Sequence, residues 1–299
     1  MHIIAGSSNP GLASSIASCL ECQLVDAELT TFANGERRVW IKDDLQGKNV
    51  ALVQSFSHPT DQNIIESLLL IDALERMGVR HVNLVMPWMG YSMQDKVFRH
   101  GEPIAAKVVA NLVSNAYTKR VFVLDLHNSS TPGFFSVPTM QLSAMEMFAD
   151  HARQTFELDK AVVASPDFGG LKRARMFANL LDLELVNIDK HRNLKTGKVT
   201  AVGLHGEVEG KNVLVFDDVI ISGSTVMESA QLLKNEGASQ VQFFSSHGLF
   251  INQALQRFAD SAVDRVITTN SVAQPDRPEL LTVLDLGPLF TEALQKWVK

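Results

Sequence analysis

The sequence predicts an α/β protein made of two related domains, each a mostly parallel sheet flanked by helices. Three observations carry this. Short β-branched runs alternate with amphipathic stretches along the chain, a block from the first half recurs in the second, and one copy of that block runs into an acidic, serine- and glycine-rich loop. Strands that alternate with helices belong to βαβ units, which place the helices on both faces of a parallel sheet. A chain of 299 residues with a hydrophobic fraction of 45% is long enough for two ordinary cores.

In order, the first half pairs Val50 to Gln54 with Asp61 to Met77, Val82 to Met86 with Pro103 to Asn115, and Val121 to Leu126 with Ser143 to Thr155. The second half offers strands at Ala161 to Ala164, Leu185 to Ile188, Val213 to Phe216 and Gln240 to Ser246, with helices at Gly169 to Leu181 and Ser224 to Asn235. The repeated block is Gly47-Lys48-Asn49-Val50-Ala51-Leu52-Val53-Gln54 in the first half and Gly210-Lys211-Asn212-Val213-Leu214-Val215-Phe216-Asp217 in the second. Each copy continues into an apolar helix that ends near a glycine and feeds another strand: Met77-Gly78-Val79 in one, Glu236-Gly237-Ala238 in the other. Its period is too long for a solenoid, so the expectation is two domains, 1–142 and 143–299, with the last helix able to return to the first.

Several function classes are excluded at this stage. A net charge of −6 with scattered cations provides no face for a nucleic-acid backbone. No apolar run reaches the length of a membrane span, and the first residues lack a basic region ahead of their short apolar run. A cytoplasmic protein is expected. Cys19 and Cys22 form a lone C-x-x-C with no second pair to complete a metal site, which reads as packing inside a helix rather than redox or zinc chemistry. Gly6-Ser7-Ser8-Asn9-Pro10-Gly11 reads as a structural turn after the first strand.

The loop after the second copy carries the chemistry. Asp217-Asp218-Val219-Ile220-Ile221-Ser222-Gly223-Ser224-Thr225 puts two carboxylates and a small hydroxyl-rich run at the carboxyl edge of a parallel sheet, where open α/β folds bind ligands. Ser222 to Thr225 can wrap a phosphate with backbone amides at the positive end of a helix. Asp217 and Asp218 suit hydroxyl donors or Mg²⁺, so the loop fits a sugar phosphate with a vicinal diol. A bland alternative stands beside this: a helix start capped by Ser or Thr, with acids near the dipole. The first copy has Ser55-Phe56-Ser57-His58-Pro59-Thr60-Asp61 at the same place and no such loop.

Over nearly its whole length the chain resembles the ribose-phosphate pyrophosphokinases, through Phe32-Ala33-Asn34-Gly35-Glu36, Tyr91-Ser92-Met93-Gln94-Asp95-Lys96, Pro103-Ile104-Ala105-Ala106-Lys107, Asp125-Leu126-His127, Ser165-Pro166-Asp167 and Asp189-Lys190-His191-Arg192. The resemblance implies tandem phosphoribosyltransferase-like domains that use ATP and ribose 5-phosphate. It implies an ATP site from Phe32, Asn34, Gly35, Glu36, Gln94, Asp95 and His127, with Phe32 stacking on the adenine. It implies a ribose-5-phosphate site from Asp167, Arg192, Asp217, Asp218, Ile221, Ser222, Gly223, Ser224 and Thr225. Mg²⁺ is implied at His127 and Asp167, although from chemistry alone an isolated His is an unusual magnesium ligand. Lys190 and Arg192 are implied as the cations that close over the transferring phosphoryl group, in a segment otherwise readable as a solvated charge run. The ATP hairpin, often completed by a neighbouring subunit in such enzymes, implies a homo-oligomer: dimer-based, tetramer or hexamer.

The resemblance also shows departures. Met93 stands where an arginine is usual, Ile221 where an acid is common, and Ser224 where glycine is usual. Lys96 and Arg99 lie in the same loop and can supply the charge lost at Met93. Asp218 is one candidate general base; a positioned hydroxyl needing none is the other. Two competing readings remain: a catalytically weak regulatory homologue, and a phosphoribosyltransferase that consumes phosphoribosyl pyrophosphate.

Overall fold

The computed structural model describes residues 1–192 and 199–298, with the backbone alone for residues 190–192 and 199–202. The chain divides into two compact units, Met1–Ser143 with Asn270–Ala273 and Asp285–Lys299, and Ala144–Thr269 with Gln274–Leu284.

In the first unit β1 (His2–Ala5) and α1 (Pro10–Cys19) precede a hairpin of β2 (Ala27–Thr31) and β3 (Arg37–Ile41). Next come β4 (Asn49–Val53), α2 (Thr60–Arg76), β5 (His81–Met86), α3 (Ala105–Asn115), β6 (Thr118–Leu124) and β7 (Thr139–Leu142). The sheet is parallel throughout, in the order β1-β4-β5-β6-β7. Its inner strands β4 and β5 are buried almost throughout because both faces are covered. Leu52, Leu84 and Val121 are buried in one cluster with Leu70 and Leu74 of α2 and Val109 of α3. Asn9 caps α1, its side chain accepting from Leu12 N at 3.3 Å, and Pro10 opens the helix at a position that needs no N–H donor. The cysteines do not pack inside that helix as expected: Cys19 ends α1 and is exposed, while Cys22 lies beyond the end, because the chain turns at Glu21 with φ of 52°.

The second unit runs α4 (Met145–Thr155), β8 (Ala161–Ser165), α5 (Leu171–Leu181), β9 (Leu185–Arg192), β10 (Val199–His205), β11 (Asn212–Ile220), α6 (Ser224–Asn235), β12 (Gln240–Gly248), α7 (Ala254–Ala259), β13 (Arg265–Thr269) and β14 (Leu281–Leu284). Its sheet has the order β10-β9-β8-β11-β12-β13-β14, parallel except where β10 returns along β9. Aromatic rings fill one side of it, with Phe177 lying 4.8 Å from Phe216 and 5.2 Å from Phe244 between centroids. The last helix, α8 (Gly287–Trp297), belongs to the first unit and packs on α1. Asn270 Oδ1 accepts from Leu286 N at 2.9 Å, and Gly287 lies so close to Ser15 that a Cβ there would collide with its side chain. Among the described residues no helix is long and apolar enough to cross a membrane.

The sequence repeat is a repeat of hydrogen bonds. Gly47 N donates to Gly78 O at 2.8 Å in one copy, and Gly210 N to Gly237 O at 2.8 Å in the other. Arg80 N to Lys48 O at 2.8 Å is matched by Ser239 N to Lys211 O at 2.9 Å. All four glycines have positive φ, between 69° and 88°, which glycine adopts without the Cβ penalty. The same residues therefore lock the same helix-to-strand return twice. Strand β11 runs past the expected end at Phe216, because Val219 and Ile220 stay paired with His247 and Gly248 of an equally extended β12. The two aspartates thus stand within a strand and inherit its alternation.

Candidate functional site

In the second unit the strand order reverses between β8 and β11, since the chain leaves β8 toward β9 on one side and adds β11, β12, β13 and β14 on the other. A crevice outside the carboxyl ends of two such strands is where open α/β sheets take ligands. Asp167 follows β8 into this crevice, and Asp217 and Asp218 come up from β11. A Cβ on Gly170 would lie 3.3 Å from Ser165 Oγ, 3.6 Å from Asp217 Oδ1 and 3.7 Å from Asp167 Oδ1, so both loops converge on that glycine. Asp167 is oriented by Gly170 N, which donates to its Oδ1 at 2.9 Å.

Strand alternation gives the two adjacent aspartates different fates. Asp218 is 3% exposed and accepts from Arg173 Nη2 at 2.6 Å. Asp217 keeps 23% of its side chain exposed and lies 3.5 Å from the same nitrogen. Loss of water around its carboxyl, then the charges of Asp218 and Asp167, raise the Asp217 pKa well above the usual carboxylate value, with Arg173 opposing. Arg173 sits in the first turn of α5, an unfavourable place for a cation beside the positive helix end, and the two carboxylates compensate it. Sequence reading missed this residue. A buried acid pair demands a cation, but nothing local identifies one 45 positions away from Asp218.

The loop itself is held from below. Gly223 has φ of 74°, and a Cβ there would collide with the Phe258 ring. Arg257 Nη2 donates to Ser222 O, and Ile251 N donates to Ile221 O at 3.0 Å. No side chain caps α6, so its first amides face the loop without a capping partner. Ser222 Oγ and Ser224 Oγ stand 3.3 Å apart beside them. Cradle and acid group thus lie on one edge, as a diol-bearing phosphate requires. Gly223→Ala is expected to cost about 1–3 kcal/mol through backbone strain and the Phe258 contact, measured by urea denaturation.

The first unit carries the remaining expected residues in two places. Phe32, Asn34, Gly35 and Glu36 form the tip between β2 and β3. There Gly35 N donates to Phe32 O at 2.8 Å, and Gly35 has φ of 90°. This is a three-residue turn with glycine in the left-handed position, rather than a two-residue Asn-Gly turn. Phe32 is 52% exposed at the tip. Gln94 and Asp95 lie in the loop before α3, close to the His127 turn: Asn128 Nδ2 donates to Asp95 Oδ2 at 2.6 Å, and Asn128 Oδ1 accepts from Ser130 N at 2.9 Å. Lys190 and Arg192 lie on the β9 backbone, their side chains outside the described residues, as is much of the charged segment that follows.

Among the described residues no three His, Cys, Asp or Glu side chains form a metal cage. Asp167, Asp217 and Asp218 nevertheless bring three carboxylates to one sheet edge. That fits Mg²⁺, which takes one or two protein carboxylates and completes its shell with water and phosphate oxygens.

Comparison with known proteins places this architecture. Residues 1–116 match the N-terminal domain of ribose phosphate pyrophosphokinase, and residues 136–281 match the phosphoribosyl transferase domain. The chain is 37% identical over 297 residues to ribose-phosphate pyrophosphokinase of Aquifex aeolicus, covering 99% of this chain and 95% of that one. It is 36% identical over 298 residues to the protein of that name from Thermotoga maritima, covering 99% and 94%. Among solved structures, phosphoribosylpyrophosphate synthetase from Mycobacterium smegmatis matches with a TM-score of 0.91 at 31% identity, over 98% of this chain and 97% of that one. With two phosphoribosyltransferase-type domains and full-length relatives of one kind, the chain belongs to the ribose-phosphate pyrophosphokinase family of enzymes.

Proposed function

We propose that this enzyme transfers the terminal pyrophosphate of MgATP to O1 of ribose 5-phosphate, giving phosphoribosyl pyrophosphate and AMP. The observation that carries the reading is the convergence of Asp167, Asp217 and the uncapped start of α6 on one sheet edge. In this reading Ile221, Ser222, Gly223, Ser224 and Thr225 hold the 5-phosphate, and Asp167 and Asp217 receive the sugar hydroxyls. Asp218 acts through its charge. Its burial on Arg173 argues against its use as the general base.

Phe32 stacks on the adenine, with Asn34, Gly35, Glu36, Gln94 and Asp95 around the nucleotide. His127 and Asp167 are the proposed protein ligands of Mg²⁺, which neutralises phosphate charge when bound. The sugar O1 attacks the β-phosphorus in line and gives its hydroxyl proton to water, while the bond from the β-phosphorus to the α,β-bridging oxygen breaks and that oxygen departs with AMP. Lys190 and Arg192 stabilise the charge that spreads over the non-bridging oxygens, and Arg192 also binds the sugar phosphate. The exposed hairpin tip supports a homo-oligomer in which a neighbouring subunit completes the ATP site. Cytoplasmic location belongs to the same proposal.

Purified enzyme incubated with ribose 5-phosphate and MgATP is expected to form AMP and phosphoribosyl pyrophosphate in equal amounts, with Lys190→Ala slower by about a hundredfold to a thousandfold. Nucleotide binding without turnover would favour the regulatory homologue, the reading that Met93 motivates. Met93 is 36% exposed in a loop where Lys96 Nζ lies 4.9 Å from the Phe98 ring centroid. If these cations replace the usual arginine, Lys96→Ala combined with Arg99→Ala lowers kcat/KM for ATP by at least about tenfold. Unchanged turnover and ATP affinity would assign them to solvent.

A further inference from the structure

The first copy of the repeat ends in a polar cluster that the reaction above does not use. Gln54 follows Gly47 at the spacing by which Asp217 follows Gly210. Its amide is closed on both sides. Oε1 accepts from Ser8 N at 3.0 Å and Ser8 Oγ at 2.7 Å, while Nε2 donates to Glu66 Oε1 at 2.9 Å. Glu66, a fully buried carboxylate on α2, also accepts from Ser7 N at 2.7 Å and Ser7 Oγ at 2.9 Å. The turn after β1, unremarkable as sequence, is thus folded around an acid.

The counter-ion for that acid comes from the hairpin. Arg37, which follows Glu36 and opens β3, donates through Nη2 to Glu66 Oε2 and to Ser7 Oγ, the latter at 2.8 Å. Its Nη1 donates to Thr31 Oγ1 at 2.9 Å, at the end of β2. Ser7 Oγ uses its one proton on Glu66 and a lone pair on Arg37, so each hydroxyl role is filled once. A single planar guanidinium therefore ties both legs of the hairpin to the sheet edge, and its fork geometry is what allows the simultaneous contacts. Moving the hairpin away would strand a buried carboxylate, which the protein strongly disfavours.

We infer that Arg37 is a positioning residue for the nucleotide, and that the Glu66, Ser7 and Gln54 cluster is the socket in which it fixes the Phe32 to Glu36 tip. The first copy's ligand edge has become the mount for the other ligand's hairpin. This rests on the nucleotide role proposed above for Phe32, Asn34 and Glu36.

The test measures binding of a fluorescent MgATP analogue, binding of ribose 5-phosphate and AMP formation on the full-length wild type, Arg37→Ala and Arg37→Lys, with circular dichroism melts alongside. Nucleotide affinity is expected to fall about tenfold in Arg37→Ala and about threefold in Arg37→Lys, with ribose 5-phosphate affinity within about twofold of wild type. Lysine keeps the charge on Glu66 without the fork, so it decides the matter if the alanine variant does not fold. Nucleotide affinity unchanged in a folded variant, or both affinities falling together, overturns the inference. Wild-type turnover with Arg37-independent nucleotide binding removes the socket and keeps the reaction. Absent wild-type turnover with Arg37-dependent binding does the reverse.

Discussion

Replacing Asp217 by asparagine is expected to give a protein that melts higher than wild type and has kcat/KM for ribose 5-phosphate lower by about a hundredfold. Both effects have one origin. Burial and the neighbouring charges of Asp218 and Asp167 raise the Asp217 pKa from the usual 3.8, so the ionised form is disfavoured in the folded state. A raised folded pKa contributes stability that is full below the unfolded value and is lost as pH rises through the folded one. The wild-type melting temperature should therefore decline upward from the ordinary carboxyl range, and the asparagine variant should lack that component. Asparagine keeps the shape but offers a neutral acceptor, whereas hydroxyl donors favour the charged one. Melting curves across pH, run beside the turnover assay, check both halves; an asparagine variant that melts lower at neutral pH would contradict the assignment.

Removing Arg173 should have the opposite signature, loss of stability and activity together. In Arg173→Met, Asp218 remains at 4% side-chain exposure without its 2.6 Å partner. Breaking a buried pair by deleting one member costs about 3 kcal/mol or more, and the partial exposure of Arg173 puts this case near the lower end. Adding Asp218→Asn to Arg173→Met should recover much of the loss, since the buried carboxylate that faced the guanidinium at 2.6 Å is then gone. Urea denaturation of the two single variants and the double completes the cycle. Strict additivity would show that the pair is not coupled.

How far the sequence could be read depended on whether a feature is local. The alternation of strands and helices, the repeat and the acidic loop are encoded within short windows, and so are the helix-ending glycines Gly78 and Gly237, although the hydrogen bonds that tie them back to Gly47 and Gly210 are not. Features that arise from pairing across the chain were not legible. The extension of β11 to Ile220 needs β12 beside it, and no composition rule sees that partner. Arg173 and Arg37 each neutralise acids supplied by another element, so neither carries a motif. Ser7 looked like an ordinary turn residue because Glu66 reaches it from 59 positions away. Lys190 and Arg192 are in the reverse position, legible by resemblance while their side chains lie outside the described residues.

The return of the chain to its first unit sets a constraint on synthesis. Residues 270–273 and α8 complete a body whose sheet is made from residues before 143. On the ribosome, that sheet is translated long before Phe290 and Leu294, the largest buried side chains of α8, exist. The nascent first half must wait with the α1 surface open while the whole second half emerges, and a transcript cut at the midpoint would encode a body lacking its closing helix. The two halves repeat in sequence, yet they are not interchangeable in the order of their completion.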